Sequence, residues 1–535
     1  MVRDARRFGI SRAVTAPCVL LSLLLSLLVA SLAGARADDR QAVLIGGGPN
    51  PKSNQAAIES NVRYLLRLLP ADVKRTVLFA DGDPKAETVL YEEQAKPLKP
   101  GERIVTLLLD GPEAASPTTL KYRAPNLSQI DGPSRRAEIE GLFSRLSTQA
   151  PAESPLLLYF TGHGSPARNR NLDNNVYDLW QEDGLSVRDL AAQLDRLPVA
   201  QPVTLVMVQC YSGAFGNLLF RNGDPKGEPT DRDLAGFYAT VKERVAAGCT
   251  PAVDESEYHD FTSYFFAALT GQDRVGRKVR GADYNHDGQV AMDEAFCYAL
   301  SHDASIDIPI CTSDVYLRRV VTTPDEEIFK TPYSRVKGWA SPAQRAALED
   351  ISKRLRLAGD DRGLVAYNRF RGADADPGAR RANPLAAARR AYNEQRDEAR
   401  RALIQRWPEL LDKNGAGYAK ARADAAAQAE QGAKEGTYKA LLDSEAALDA
   451  ADDAAYKQEL ADSLQTRFVR LYKSVALAHA VRTGSDEAAK QRLERIVAAE
   501  GRRFLPAVKV ASRSTTVSVP QKITAIARNS ERFLP

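Results

Sequence analysis

Apolar positions along the chain follow two different periods. In residues 40–320, short apolar runs alternate with stretches in which apolar residues recur every three or four positions. The runs predict buried strands, and the spaced positions predict helices. The predicted strands cover 42–45, 76–80, 104–109, 156–160 and 203–208, and the predicted helices cover 53–69, 134–147 and 186–197. Strands that alternate with helices favour a mostly parallel, three-layer α/β/α sandwich.

The pattern changes beyond about residue 325. Alanine, arginine and glutamate dominate there, and apolar positions keep a helical period without strand signals. We therefore predict four parts in the mature chain: an α/β domain, a linker with short helices, an all-helical region and a polar tail. Their expected bounds are 38–320, 321–384, 385–507 and 508–535.

Length and charge narrow the possible partners. A chain of 535 residues with 44% hydrophobic content can form several domains and bury a substantial core. The formal net charge is only +4, and the sequence contains no long basic block. Nothing therefore favours a nucleic-acid partner.

The amino terminus has the composition of a signal peptide. Four arginines precede an apolar run over 19–33, and Ala35-Arg36-Ala37 follows it as a small-residue cleavage site. The run is too short to favour a membrane span. We predict a signal peptide over 1–37 and an exported, periplasmic or extracellular protein without a membrane span after cleavage. Arg6-Arg7 leaves both the Sec and the Tat route open.

A histidine between two glycines follows one buried strand. In LLLYFTGHGSPARN, residues 156–169, the apolar run stops at Thr161, and His163 lies between Gly162 and Gly164. Parallel α/β sheets keep their sites at the carboxyl ends of strands. Glycines on either side would leave the backbone open to a substrate. A glycine-rich turn with an incidental histidine would give the same pattern.

A cysteine follows a second buried strand. VTLVMVQCYSGAF, residues 203–215, ends its apolar run at Cys210. If the two strands are parallel neighbours, Cys210 and His163 lie at the same edge of the sheet. Cysteine alone is more often a core residue, but a cysteine with a histidine at one edge is what nucleophilic catalysis requires.

These two stretches resemble a known family. YFTGHGSP (159–166) and VQCYSGAF (208–215) look like the paired motifs of caspase-like, clan CD cysteine peptidases, most closely the legumain-like branch, peptidase family C13. The resemblance covers 41–319. It implies a caspase-like fold, His163 as catalytic histidine, Cys210 as nucleophile, and the backbone N–H groups of Gly164 and Cys210 as oxyanion donors.

The resemblance implies a secreted endopeptidase, a hydrolase that performs proteolysis on protein or peptide substrates through a thioester, with no organic cofactor. An inactive caspase-like scaffold, or a transpeptidase or ligase that uses the same pair, remains an alternative. Two roles remain open for the helical region: it covers the active site, as extensions of legumain-like enzymes do before their removal, or it forms a stalk or a bundle that binds a protein partner.

The sequence departs from legumain where specificity is set. Val208 stands two residues before the nucleophile, where legumain has an acidic residue. Asn54 and Asp81, each just past a strand end, are candidates to line the cleft. Helix capping and turn chemistry would account for both residues equally well.

The remaining cysteines permit a disulfide in an oxidising compartment. Cys249 and Cys311 lie in predicted loops, whereas Cys297 lies in a helical pattern. Loops adjust more easily to disulfide geometry, so a bridge between Cys249 and Cys311 is the preferred pairing.

Residues 283–294, DYNHDGQVAMDE, have the spacing of a calcium-binding loop. Gly288 occupies the turn position, and a helix is expected over 291–301. The spacing assigns five ligands to Ca²⁺: Asp283, Asn285, Asp287, Gln289 and Glu294. The loop predicts a structural calcium site; an acidic turn that caps the helix without metal is the alternative.

Overall fold

The computed structural model describes residues 40–149, 153–181, 183–375, 384–434 and 436–503. The predicted signal peptide and the predicted polar tail lie outside these residues.

Short strands dominate the first half of the chain. They are β1 (Gln41–Gly47), β2 (Lys74–Phe79), β3 (Val89–Gln94), β4 (Thr118–Arg123), β5 (Leu156–Gly162), β6 (Gly164–Ser165), β7 (Val176–Leu179), β8 (Asp183–Ser186), β9 (Val203–Met207), β10 (Leu234–Tyr238) and β11 (Ile310–Cys311).

Helices separate these strands and make up the second half. They are α1 (Ala56–Leu68), α2 (Pro100–Leu109), α3 (Arg136–Gln149), α4 (Val187–Leu194), α5 (Phe261–Thr270), α6 (Met292–His302), α7 (Thr312–Val320), α8 (Asp325–Phe329), α9 (Tyr333–Trp339), α10 (Pro342–Arg354), α11 (Arg362–Ala375), α12 (Pro384–Arg406), α13 (Tyr418–Gly432), α14 (Gly436–Thr483) and α15 (Glu487–Glu500). Short 3₁₀ turns also occur, and the one at Ser212–Leu219 follows β9.

A six-stranded sheet forms the centre of the molecule, in the order β11-β10-β9-β5-β1-β2. All neighbours pair in parallel except β10 and β11, which are antiparallel. Two further small sheets pair β3 with β4, and β6 with β7 and β8. The predicted mostly parallel α/β class is confirmed.

Both faces of the central sheet are buried. Successive side chains of a strand point to opposite faces, and helices cover the side chains on each face. Leu157 and Tyr159 of β5 belong to the apolar cluster that includes α1, α5 and α6. Leu158 and Phe160 belong to the cluster on the other face, which α3 and α4 cover. The result is three layers, with helices above and below one sheet.

The strand predicted over 104–109 is wrong, because these residues form the end of α2. Pro100 occupies the first turn of this helix, and Glu102 accepts a hydrogen bond from the Lys99 amide at 3.3 Å. The helix packs so closely on α13 that a side chain at Gly101 would meet the Ala426 carbonyl. A short apolar run buried on several sides has no period that separates strand from helix.

The carboxy-terminal half is helical, as predicted, and four helices, α8 to α11, lie within 321–375. Helix α14 is 48 residues long and lies against the α/β domain. None of the helices in the described ranges is long and apolar enough to cross a membrane.

Arg467 of α14 is buried, with 1% of its surface exposed, and it holds the loop that follows α6. Its guanidinium donates to the carbonyls of Asp303, Ser305 and Asp307 at 2.7, 2.7 and 2.6 Å. The Asp303 carboxylate lies 3.7 Å away. One buried cation therefore satisfies three backbone acceptors and lies close enough to the Asp303 carboxylate to offset part of its charge.

Replacing Arg467 by methionine should lower the free energy of unfolding by about 3 kcal/mol, because the buried carbonyls and Asp303 lose their partner. Arg482→Met removes an exposed arginine of the same helix, and this control should change stability by less than about 0.5 kcal/mol. Urea unfolding measures both values. Equal losses in the two variants would show that Arg467 does not hold this loop.

Candidate active site

Strands β5 and β9 bring His163 and Cys210 to one edge of the sheet. The two strands are parallel neighbours, as predicted, and Phe160 pairs with Met207. His163 and Cys210 each lie three residues beyond that pair. Both side chains therefore come from segments that leave the sheet together at its carboxyl edge.

His163 is held by a glutamine. Its Nε2 lies 2.9 Å from Oε1 of Gln55, the residue before α1. Burial lowers the pKa of His163, and the negative charge of Asp178 acts in the opposite direction. Ser165 donates a hydrogen bond to the Asp178 carboxylate at 2.7 Å. At neutral pH the imidazole is therefore neutral, and one of its nitrogens can accept a proton.

Cys210 lies in a sharp turn before the 3₁₀ helix at Ser212–Leu219. The next residue, Tyr211, has a φ of 60°, a left-handed conformation that costs energy in a non-glycine residue. Such strain persists only where the surroundings impose it; here the Tyr211 amide donates to the Arg244 carbonyl at 2.8 Å. Within the described residues, the Cys210 amide has no hydrogen-bond partner, as an oxyanion donor requires.

Cys210 is half-buried, and one side of its thiol is covered. The Ala246 amide donates to Sγ at 3.3 Å. Burial, followed by the neighbouring Cys249 thiol, raises the pKa of Cys210 to about 12. The thiol is therefore protonated at neutral pH, and the segment around Ala246 lies against it.

The two glycines next to His163 serve close packing rather than an open backbone. A Cβ at Gly164 would lie 2.3 Å from the Cys210 carbonyl oxygen, and a Cβ at Gly162 would lie 2.4 Å from the Gly47 carbonyl oxygen. A larger residue at Gly164 would therefore push the histidine and cysteine segments apart, and a larger residue at Gly162 would push β5 away from the end of β1.

Neither residue predicted to line the cleft does so. Asn54 is completely buried, and its amide bridges the Gly48 N–H at 3.3 Å and the Thr88 carbonyl at 3.0 Å. Asp81 follows β2, two strands away from β5, and caps its own turn by accepting from the Asp83 amide at 3.1 Å. Asn54 and Asp81 thus form hydrogen bonds within turns and loops, which explains their positions after the strands without a role in a cleft.

The predicted bridge between Cys249 and Cys311 is wrong, since both thiols are free, as are Cys210 and Cys297. Cys249 Sγ lies 3.5 Å from the Gly162 carbonyl, beside the candidate site. Cys311 is not in a loop but in β11, where its Sγ lies 3.2 Å from Ser313 Oγ. The two cysteines therefore face different surroundings.

The acidic loop at 283–294 leads into α6, as predicted. Asp283 accepts from the Asp287 and Gly288 amides at 3.1 and 3.0 Å, and Asn285 accepts from Asp287 at 2.9 Å. Glu294 accepts from the Ala291 amide at 3.0 Å.

The oxygens of the predicted calcium ligands take part in hydrogen bonds within the loop: Glu294 also accepts from the Asn285 amide at 3.0 Å, and Asn285 donates to Asp287 at 3.0 Å. Gln289 contributes an amide that donates to Asp287 at 3.1 Å, and Asp287 also pairs with Arg503. In the described part of the chain, no group of three or more His, Cys, Asp or Glu side chains is arranged to hold a metal. The oxygen donors suit a hard cation by type, but here they satisfy the loop's own amides.

Three contributors to the site were missed from the sequence. Gln55, Asp178 and the segment around Ala246 come from other elements and contact or face His163 and Cys210. Gln55 lies next to Asn54 in the segment that follows β1, and it is Gln55, not the predicted Asn54, that contacts His163. Neither Asp178 nor Ala246 has a distinctive sequence neighbourhood.

His163 should make stability depend on pH. Because its pKa is lower in the folded chain than the unfolded value of about 6.5, the unfolded chain takes up the proton first. The stabilisation that the neutral His163 side chain gives the folded chain is therefore complete above pH 6.5. It is lost as the pH falls from there through the pKa of His163 in the folded chain. His163→Asn should flatten the fall in unfolding free energy between pH 7 and pH 5 and leave the trend above pH 7.5 unchanged. Parallel slopes at acid pH would contradict the buried, neutral histidine.

No protein-family model and no curated protein matches the sequence. Among solved structures, the chain is similar to the crystal structure of a structural-genomics protein from Geobacter sulfurreducens, with 11% sequence identity and a TM-score of 0.29. That match covers 51% of this chain and 92% of the other. Any function must therefore be argued from the site itself.

Proposed function

We propose that this protein is an exported cysteine endopeptidase of the caspase-like, legumain-like type, with Cys210 as nucleophile and His163 as general acid and base. One observation carries the proposal: the parallel register of β5 and β9 delivers a histidine and a cysteine to the same edge of the sheet. The approach of Gly164 to the Cys210 carbonyl supports it, because it holds the two segments together.

The reaction would proceed through a thioester. The Cys210 sulfur attacks the scissile carbonyl, and the backbone N–H groups of Cys210 and Gly164 stabilise the oxyanion. His163 takes the thiol proton and passes it to the departing amine, and then deprotonates the water that hydrolyses the thioester. A positioned acid and base contributes about 10² to 10⁴ in rate, and each oxyanion donor about 10² to 10³.

Neighbouring groups support each role. Gln55 fixes the orientation of the imidazole through the 2.9 Å contact. The charge of Asp178 favours the imidazolium that forms during the reaction. An imidazolium beside the sulfur would in turn lower the pKa of the Cys210 thiol.

The resting site needs a rearrangement before it can react. Ala246 covers the thiol, and the same loop is tied to α14 by an ion pair of 2.8 Å between Arg244 and Glu459. A covered, protonated thiol also favours the second candidate, an inactive scaffold whose helices bind a protein partner. A transpeptidase or ligase would use the same pair with an amine in place of water.

The loop at 283–294 is proposed to bind Ca²⁺ as a structural ion. Asp283, Asn285, Asp287, Gln289 and Glu294 would hold it, and the ion would offset most of the negative charge of the three carboxylates among these ligands. Exported proteins meet calcium at concentrations that weak sites can use, about 10⁻⁴ to 10⁻³ M.

Cys210→Ala and, separately, His163→Ala should each lower peptide turnover at least about 10³-fold. The first variant lacks the nucleophile, and the second lacks the group that transfers the protons. Circular dichroism should stay unchanged. Cys297→Ala, which removes a buried thiol in α6, is the matched control and should keep turnover. Mass spectrometry of the products, with and without an added amine, distinguishes hydrolysis from transfer. Turnover retained in either site variant would exclude the assignment.

Calcium added to chelator-treated protein should raise the melting temperature, since a ligand that binds only the folded chain contributes about 2.7 kcal/mol at a hundredfold excess over Kd. Asp283→Asn combined with Glu294→Gln should abolish the rise. Asp254→Asn, a carboxylate on another loop, should keep it. If the melting temperature of the unaltered protein does not change, only the helix-capping role remains.

A further inference from the structure

A small buried cavity lies directly beside the candidate nucleophile. Val208, two residues before Cys210, and Gly162, immediately before His163, form one side of it. Ala247, Gly248 and Cys249 form another side, and these residues follow Ala246, which covers the thiol. The cavity is therefore lined by residues from the same three segments that carry His163, Cys210 and Ala246.

Two carboxylates line this cavity. Asp260 and Asp307 both belong to its lining, together with Ile58, Asn61, Thr161, Phe261 and Thr262. None of the lining side chains is basic. The lining of the cavity thus contains two acidic side chains and is otherwise uncharged.

One carboxylate oxygen of Asp260 is available to accept a hydrogen bond from a ligand. The residue is 3% exposed, and its Oδ1 accepts from the Ser263 amide at 2.7 Å and lies 3.5 Å from Arg274. Its Oδ2 is buried without a hydrogen-bond partner among the described residues. A buried carboxylate oxygen without a partner is costly, so the position favours a ligand that donates hydrogen bonds.

The unpartnered oxygen lies next to Gly248. A Cβ at Gly248 would lie 3.1 Å from Asp260 Oδ2, and Gly248 has a φ of +114°, which only glycine adopts readily. With glycine at this position, no side chain stands between the oxygen and an incoming group.

Asp307 has a different role. Its Oδ1 accepts from the Ala247 amide at 2.7 Å, and its Oδ2 accepts from the Phe261 amide at 3.2 Å. Both oxygens are therefore engaged by the backbone. Asp307 holds the cavity wall in place, and Asp260 remains the carboxylate available for recognition.

We propose that this cavity binds the side chain on the amino side of the scissile bond, and that Asp260 selects a basic side chain, arginine or lysine, at that position. The inference rests on the proposed peptidase function and names its substrate class. A guanidinium or ammonium group donates hydrogen bonds and carries the opposite charge, which together satisfy Asp260 Oδ2.

Entry of such a side chain requires one movement. The cavity has free space for about one water molecule, so the segment 246–249 must shift outward. The same segment covers Cys210, and its displacement would open the pocket and expose the thiol together. Binding of the correct side chain would thereby be coupled to uncovering the nucleophile.

The test compares peptides that differ only in one residue, arginine or citrulline, on the amino side of the scissile bond. Citrulline has nearly the shape of arginine but no charge. For the full chain, kcat/KM should be about 100-fold higher with arginine. Asp260→Asn keeps the volume and the capping oxygen, and it should reduce this ratio to below about 5-fold. Asp254→Asn, an exposed carboxylate on the neighbouring loop, should keep the full ratio.

A second measurement does not depend on the folding of any variant. Peptidyl chloromethyl ketones that carry arginine, citrulline or asparagine are incubated with the unaltered full chain, and labelling of Cys210 is followed by mass spectrometry. Faster labelling by the arginine probe supports the inference. Equal labelling, or preference for an uncharged probe, overturns the basic pocket but leaves the peptidase. No labelling by any probe and no cleavage of any peptide would contradict the proposed function itself.

Discussion

The candidate site depends on the parallel pairing of β5 and β9. The two strands are completely buried and lie side by side in the sheet, with Phe160 opposite Met207. A shift of one residue in a buried strand would turn its apolar side chains to the wrong face, so the register is strongly specified. His163 and Cys210 inherit their proximity from that register, and Gly164 allows the segments beyond the strands to remain in contact.

Hydrogen bonds between side chains and the backbone connect the helical region to the loop beside Cys210. Arg467 of α14 holds the carbonyls of the loop that carries Asp303 and Asp307. Asp307 in turn accepts from the Ala247 amide, next to the residue that contacts Cys210 Sγ. The helices and the edge of the sheet therefore form a continuous set of contacts, and the loop over the thiol is held from both sides.

Buried acidic groups give this region an unusual electrostatic character. Burial raises the pKa of Asp303, and burial together with Asp303 holds the pKa of Asp307 well above its usual range. Arg467 and Arg274 offset part of the negative charge. Such a cluster is costly to bury, and most of its oxygens are engaged by backbone amides or lie near an arginine, whereas Asp260 Oδ2 has no hydrogen-bond partner among the described residues.

The sequence by itself determined the alternation of strands and helices, the helical second half, and the two strand ends that carry histidine and cysteine. Local periodicity suffices for these because it records which side chains of one element point to the core. Only the tertiary structure decided that Ile104–Leu109 is helical, since a short run buried on all sides carries no period. The same holds for Gln55, Ala246 and Asp260, which reach the site from distant positions in the chain. Their roles, and the separation of Cys249 from Cys311, depend on which elements pack together, and that is set by non-local contacts.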